Sequence, residues 1–314
     1  MRLLFLMIFF LLLVGCADKY DKYKKTPEYI TQASALDSIY YNAYDETLKL
    51  WDVSFEELYI TTTNGIAHVI VSGPKNGEPL VLLHGMNASS TMWYPNIESL
   101  SKDYRVFAID FILEPGKSYL YNDIESVEKV IDWYKEVLFV LELDSFHVIG
   151  ASRGGWLAVN LALNNQEKIK SLILLSPAQT FTWIKPSMDL FKNIATLLSS
   201  KEKQIAQSLE SMSNDVANIS DVYLKQYKIG LEKDSDNKFV TSMKPFSNEE
   251  LKSLQMPVLV LIGDDDMINE KRTVEIANML PKGKGELIKN AGHFLSIDQA
   301  ETVNQKMLDF LEQR

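Results

Sequence analysis

Hydrophobic and polar positions change rhythm several times along this chain. Leu3–Val14 is an almost unbroken apolar run. The run is too short to cross a bilayer comfortably as a helix and has the length of a secretory signal core. Residues 17 to about 34 are polar, with Lys and Asp alternating around Tyr20 and Tyr23, and predict a solvated linker. Ala35, Leu36, Ile39, Tyr40, Ala43, Leu48 and Trp51 follow helical spacing. Two β-rich runs, Glu57–Thr63 and Ile66–Ser72, flank Asn64-Gly65, which predicts an antiparallel hairpin with both turn residues at positive φ.

Beyond residue 78 short apolar runs alternate with helical patterns. Strands are predicted at Pro79–His84, Arg105–Asp110, Phe146–Gly150, Ile169–Leu175, Val258–Ile262 and Glu286–Lys289. Helices are predicted at Met92–Ser101, Ile124–Leu143, Trp156–Leu163, Glu270–Leu280 and Phe294–Leu311. Such alternation means a parallel sheet with helices on both faces. One segment, 178 to about 250, carries no strand pattern and predicts inserted helices, one through Ile184, Met188, Phe191 and Leu198, the next through Ile205, Leu209 and Met212, and a third through Val222, Leu224, Tyr227 and Leu231.

Composition narrows the field. With 314 residues, 46% of them hydrophobic, the chain has the means to bury a large core unaided. The formal net charge of −10 gives no support to a nucleic-acid partner. A single cysteine excludes an intrachain disulfide, and four scattered histidines offer no metal-ligand spacing, so no metal site is expected. Gly116-Lys117-Ser118 is not a phosphate-binding loop, because position 111 is Phe where that motif needs glycine.

The strongest chemical signal is Gly150-Ala151-Ser152-Arg153-Gly154-Gly155, set between a buried strand and a helix. A serine hydroxyl needs a sharp turn to present it and a base to activate it. Gly150 and Gly154 have no side chain to collide across such a turn. With Ser152 as candidate nucleophile, the chain resembles the α/β-hydrolase family over nearly everything after residue 56. The order of parts is the same: hairpin, His84-Gly85 strand, strand ending in Asp110, elbow, helical insertion, acid, histidine.

The resemblance implies an eight-stranded, mostly parallel sheet flanked by helices, with the insertion at 178–250 as a cap. It implies His293, in Asn290-Ala291-Gly292-His293, as general base. It implies Asp266 as the acid, since Gly-x-x-Asp after the Val258–Ile262 strand selects it, with Asp264 as the alternative in Gly263-Asp264-Asp265-Asp266. It implies the backbone N–H groups of Met86 and Arg153 as the oxyanion hole, and a structural His84. A serine nucleophile separates the chain from the family's dehalogenases and epoxide hydrolases, which use aspartate. The activity implied is cofactor-free hydrolysis of a small-molecule carboxylic ester through an acyl-enzyme. Lipase, thioesterase, cofactor-free peroxidase and aminopeptidase chemistry, or ligand binding without turnover, remain alternatives on the same fold.

Leu13-Val14-Gly15-Cys16 resembles the lipobox of bacterial lipoproteins. It implies a signal peptide at 1–15, diacylglyceryl attachment to Cys16, a lipidated tether over 16–34, a hydrolase domain over 35–314, and a location on the outer side of the cytoplasmic membrane.

Overall fold

The computed structural model describes residues 18–184, 201–233 and 239–313. The signal segment, Cys16, and Met188 and Phe191 of the insertion lie outside the described residues. Strand β1 (Phe55–Thr61), β2 (Gly65–Ser72), β3 (Glu78–Leu83), β4 (Tyr104–Ile109), the two-residue β5 (Tyr119–Leu120), β6 (Phe146–Ala151), β7 (Ile169–Leu175), β8 (Val258–Gly263) and β9 (Gly283–Ile288) form one sheet. Its order is β1-β2-β4-β3-β6-β7-β8-β9, with β5 paired to β2 outside that path. Pairings β1–β2, β2–β4 and β2–β5 are antiparallel and the other five are parallel. β3, β4, β6 and β8 run as near-continuous apolar segments because both faces of the sheet are covered.

The longer helices are α1 (Ala35–Leu48), α2 (Val127–Val140), α3 (Arg153–Leu163), α4 (Lys201–Met212), α5 (Asp221–Lys233), α6 (Lys271–Asn278) and α7 (Ala300–Glu312). Helix α2 starts where the Ser126 hydroxyl accepts the Lys129 N–H, and it buries Val130, Ile131, Tyr134 and Leu138 with Trp133 and Val137 beside them. No helix among the described residues is long and apolar enough to cross a membrane.

Several local expectations are corrected. The hairpin turn sits one residue early: Thr62 and Gly65 exchange backbone hydrogen bonds, so Thr63 and Asn64 form the corner, and neither has positive φ. Glycine is needed at 65 for space, since a Cβ there would lie 2.0 Å from the Tyr119 carbonyl oxygen of β5. The helix predicted over Met92–Ser101 is two short turns, Ser90–Trp93 and Ile97–Leu100, interrupted at Pro95. The last helix likewise breaks at Gln299, giving Leu295–Asp298 and α7.

Helix α1 is rotated from its predicted face. Tyr40, Ala43 and Leu48 are buried as predicted, but Leu36 and Ile39 are 60% and 54% exposed, and Tyr44 and Thr47 point inward in their place. Helix α5 is rotated too: Tyr223, Gln226 and Gly230 are buried and Val222 is exposed.

The solvated linker expected up to residue 34 is also corrected over its described part. Tyr20 is buried, its ring edge-on to Phe107 at 6.0 Å and its hydroxyl donating to the Leu141 carbonyl at 3.0 Å. Lys24 pairs with Glu56 at 2.9 Å, Asp18 with Lys75 at 2.6 Å, and the Tyr29 hydroxyl donates to the Lys117 carbonyl. Tyrosines supply the apolar area that the charges around them conceal in the sequence.

Candidate active site

The strand order reverses beside β3: the chain passes from β3 to β4 on one side and returns to β6 on the other. A crevice opens at such a switch point, at the carboxyl ends of the strands. Ser152 stands there, after β6 and directly before α3, with φ 52° and ψ −117°. A non-glycine residue held in this region costs about 1–3 kcal/mol and persists only where its surroundings enforce it. Here the Ser152 N–H donates to the Leu175 carbonyl, and the Ser152 carbonyl accepts from Gly155, Trp156 and Ala178. A Cβ on Gly150 would lie 2.4 Å from the Gly154 oxygen, and one on Gly154 would lie 2.2 Å from the Leu83 oxygen. Gly154 therefore gives α3 its close approach to β3, and Gly155 does the same toward the end of β7, where a Cβ would lie 2.9 Å from Pro177.

The structure brings three predicted residues into a relay. Ser152 Oγ is 2.8 Å from His293 Nε2, and His293 Nδ1 is 3.0 Å from Asp266 Oδ1. A carboxylate facing Nδ1 accepts its proton, which leaves the Nε2 lone pair to accept from the serine hydroxyl. Of the three adjacent aspartates, Asp266 alone makes this contact. Its Oδ1 also accepts from the N–H groups of Ile268 and Asn269, and its Oδ2 from the Asn269 amide. Burial would raise the Asp266 carboxyl, but the charge and hydrogen bond of His293, with the Ile268 and Asn269 donors, bring it down to about 2. Asp264 accepts from the Ala291 N–H, and the Asp265 N–H donates to the Ala291 carbonyl, so the same loop splices the acid strand to the histidine loop.

Met86 follows β3, and Arg153 is the first residue of α3, so its N–H has no partner within the helix. A Cβ on Gly85 would lie 3.4 Å from the Ser152 Cβ, which measures how near the two loops approach. His84 holds its loop in place. Its Nε2 accepts the Phe111 N–H at 2.9 Å and its Nδ1 faces the Gly85 carbonyl at 2.8 Å; burial depresses its pKa. His147 faces the Ser171 hydroxyl, away from the site.

Above Ser152 lies a cavity of about 260 Å³. Leu209, Met212, Ile219, Tyr223 and Tyr227 of the insertion line it, opposite Met86, Leu175 and Phe294. Among the described residues that line it there is no Asp, Glu, Lys or Arg, so it suits an uncharged apolar group. Phe181 and Met243 of the insertion pack in the core, and Trp183 is exposed.

Three further polar residues are buried in hydrogen-bond networks. Gln226 of α5 is buried; its Oε1 accepts from Thr91 and its Nε2 donates to Ser89 and Tyr40. Asp298 accepts from the Gly292 N–H, the Asn214 N–H and the Ser213 hydroxyl, fastening the end of α4 to the histidine loop. His68 lies fully buried between Asp110 and Glu57, 2.9 Å from each. Nothing in their spacing marks these residues, since the sequence shows only polar positions within otherwise apolar patterns. Among the described residues no cluster of three or more His, Cys, Asp or Glu is arranged to hold a metal ion.

A strained serine between a parallel strand and a helix, backed by histidine and aspartate from later strand ends, defines the α/β serine-hydrolase class. Comparison with known proteins agrees. The model of the alpha/beta hydrolase fold matches residues 78–205. Carboxylesterase YbfK of Bacillus subtilis is 35% identical over 282 residues, covering 87% of this chain and 93% of the relative. The crystal structure of naproxen esterase (carboxylesterase NP) from Bacillus subtilis superposes with a TM-score of 0.81 at 35% identity, over 88% of this chain and 99% of that one. The chain belongs to the α/β-hydrolase family.

Proposed function

We propose that this protein hydrolyses carboxylic esters, with Ser152 as nucleophile, His293 as general base and acid, and Asp266 as the group that orients the histidine and stabilises the imidazolium formed in the reaction. The relay from Ser152 through His293 to Asp266, opening onto an apolar cavity, carries the reading. The resemblance to Bacillus subtilis carboxylesterases supports the ester as substrate.

Ser152 Oγ bonds to the ester carbonyl carbon as its proton passes to His293 Nε2. The carbonyl oxygen becomes an oxyanion directed at the N–H groups of Met86 and Arg153. The tetrahedral adduct collapses, the C–O bond to the alcohol breaks, and Nε2 returns the proton to the departing alkoxide. Water then repeats the sequence on the acyl-enzyme and releases the acid.

A chain-length series of p-nitrophenyl esters tests this. Turnover should be measurable and favour neutral acyl groups over charged ones. Negligible turnover combined with a ligand-induced rise in Tm would instead mark a binding protein. The cap residues set the preferred length. Leu209→Ala should move the optimum toward longer chains, each newly accommodated methylene being worth about 1–3 kcal/mol in kcat/KM. An unchanged series would separate the cap from selectivity.

For the N-terminus we propose lipidation at Cys16 after removal of residues 1–15, and hence a bacterial lipoprotein on the outer side of the membrane. The lone cysteine directly after Leu13-Val14-Gly15 supports this. Two acyl chains hold a protein far more firmly than one. Mass spectrometry of the mature N-terminal peptide should find a chain beginning at Cys16 with an added diacylglyceryl mass. An unmodified thiol would defeat the lipoprotein reading and leave the hydrolase reading intact.

A further inference from the structure

Glu114 and Arg153 form an ion pair whose side chains are 0% and 5% exposed. Glu114 lies in the loop after β4, and its Oε2 also accepts the Asn87 N–H at 2.9 Å. Asn87, at φ 58°, directly follows Met86. The Arg153 guanidinium lies 4.8 Å from the centre of the Phe111 ring, and the Phe111 N–H is the donor that His84 Nε2 accepts. A closed circuit thus runs from the His84–Asn87 loop through Glu114 to Arg153, and back through Phe111 to His84. Met86 and Arg153 carry the two oxyanion donors of the proposed reaction, on different strand ends with no direct hydrogen bond between them in this circuit.

Resting on that reading of the site, we propose that the Glu114–Arg153 pair is a positioning device that sets the separation and aim of the two oxyanion-hole N–H groups. Stability alone does not account for a buried ion pair, because apolar residues of the same volume generally serve as well or better. A charge-assisted bond to a backbone N–H is short and directional, which suits the fixing of a loop. The arginine has a second effect. Without it, the Glu114 carboxylate would sit uncompensated close to where an oxyanion forms, in a medium of low dielectric. The pair supplies the grip of a carboxylate on the Asn87 N–H while cancelling its field.

The test compares wild type, Glu114→Gln and the double variant Glu114→Leu/Arg153→Met. The double variant leaves no buried charge unpaired and keeps the volume, so it should fold. The backbone N–H of residue 153 is present in all three. Rates are taken per active serine, counted by fluorophosphonate labelling, on an ester and its thiono analogue, whose larger and softer sulfur a well-set hole rejects. In the double variant kcat should fall about 30-fold with KM within about twofold, less than complete loss of a donor costs. The preference for ester over thiono ester should fall as well. Glu114→Gln, which retains an oxygen for the Asn87 N–H but loses the charge that strengthens its bonds, should show a smaller fall in both, about threefold. Unfolding or a smaller labelled fraction alone would not alter a per-site preference ratio. A folded double variant with wild-type kcat and preference overturns the proposal. Should the double variant not fold, Glu114→Gln decides: a reduced preference supports positioning, and unchanged kcat and preference refute it. If fluorophosphonate fails to label Ser152 in the wild type, the reading of the site itself falls, and the positioning role with it.

Discussion

Ser152→Ala should abolish ester turnover while the protein stays folded. The hydroxyl is the atom that bonds to the carbonyl carbon, and no other hydroxyl among the described residues lies within hydrogen-bond reach of His293 Nε2. Loss of a triad nucleophile lowers kcat by about 10⁴–10⁶-fold, the residue being what the oxyanion hole and binding supply without it. Alanine keeps a Cβ and the backbone N–H that donates to Leu175, so the turn retains its hydrogen bonds. The measurement is the steady-state rate on a p-nitrophenyl ester beside the far-UV spectrum and Tm. Turnover within tenfold of wild type would remove Ser152 from the mechanism.

Asp266→Asn should lower kcat by about 10⁴-fold, because an amide facing Nδ1 favours the tautomer in which Nε2 carries the proton and no longer accepts from serine. Asp264→Asn and Asp265→Asn should cost far less. Asp264 bonds the backbone of Ala291, and its asparagine retains an oxygen for that contact. Asp265 is exposed. The three variants differ by one residue in position and share their charge change, so a general electrostatic effect would move them together. A ranking in which Asp264→Asn is the most damaged would transfer the acid role to it.

The elements carrying these predictions differ in how legibly they were written. Buried strands announce themselves as short apolar runs, and a tight nucleophile turn demands glycines that few other arrangements need. The order in which serine, aspartate and histidine come along the chain to meet in the relay was therefore readable. The choice among Asp264, Asp265 and Asp266 depended on resemblance, because three identical side chains differ only in where the loop aims them. Glu114, Gln226 and Asp298 were not legible. Each is a polar side chain turned inward to meet a partner far away in sequence, and hydropathy assigns such positions to the surface. The faces of α1 and α5 were misplaced for the same reason: Thr47 and Gln226 face inward while Leu36, Ile39 and Val222 do not. The polar N-terminal stretch was misread because its tyrosines dock one by one, without a period to betray them.

That docked stretch bears on how far the enzyme ranges. A free linker from Cys16 to residue 34 would let the domain roam on a leash of roughly 60 Å, at about 3.5 Å per residue. With Tyr20 seated against Phe107, four residue steps separate it from Cys16, a reach of roughly 14 Å. For a protein lipidated at Cys16, the domain then rides close to the bilayer with the Tyr20 side of the sheet toward it. If Cys16 is lipidated, the orientation is narrowed along with the height, and the esters met most often are those gathered at the lipid surface.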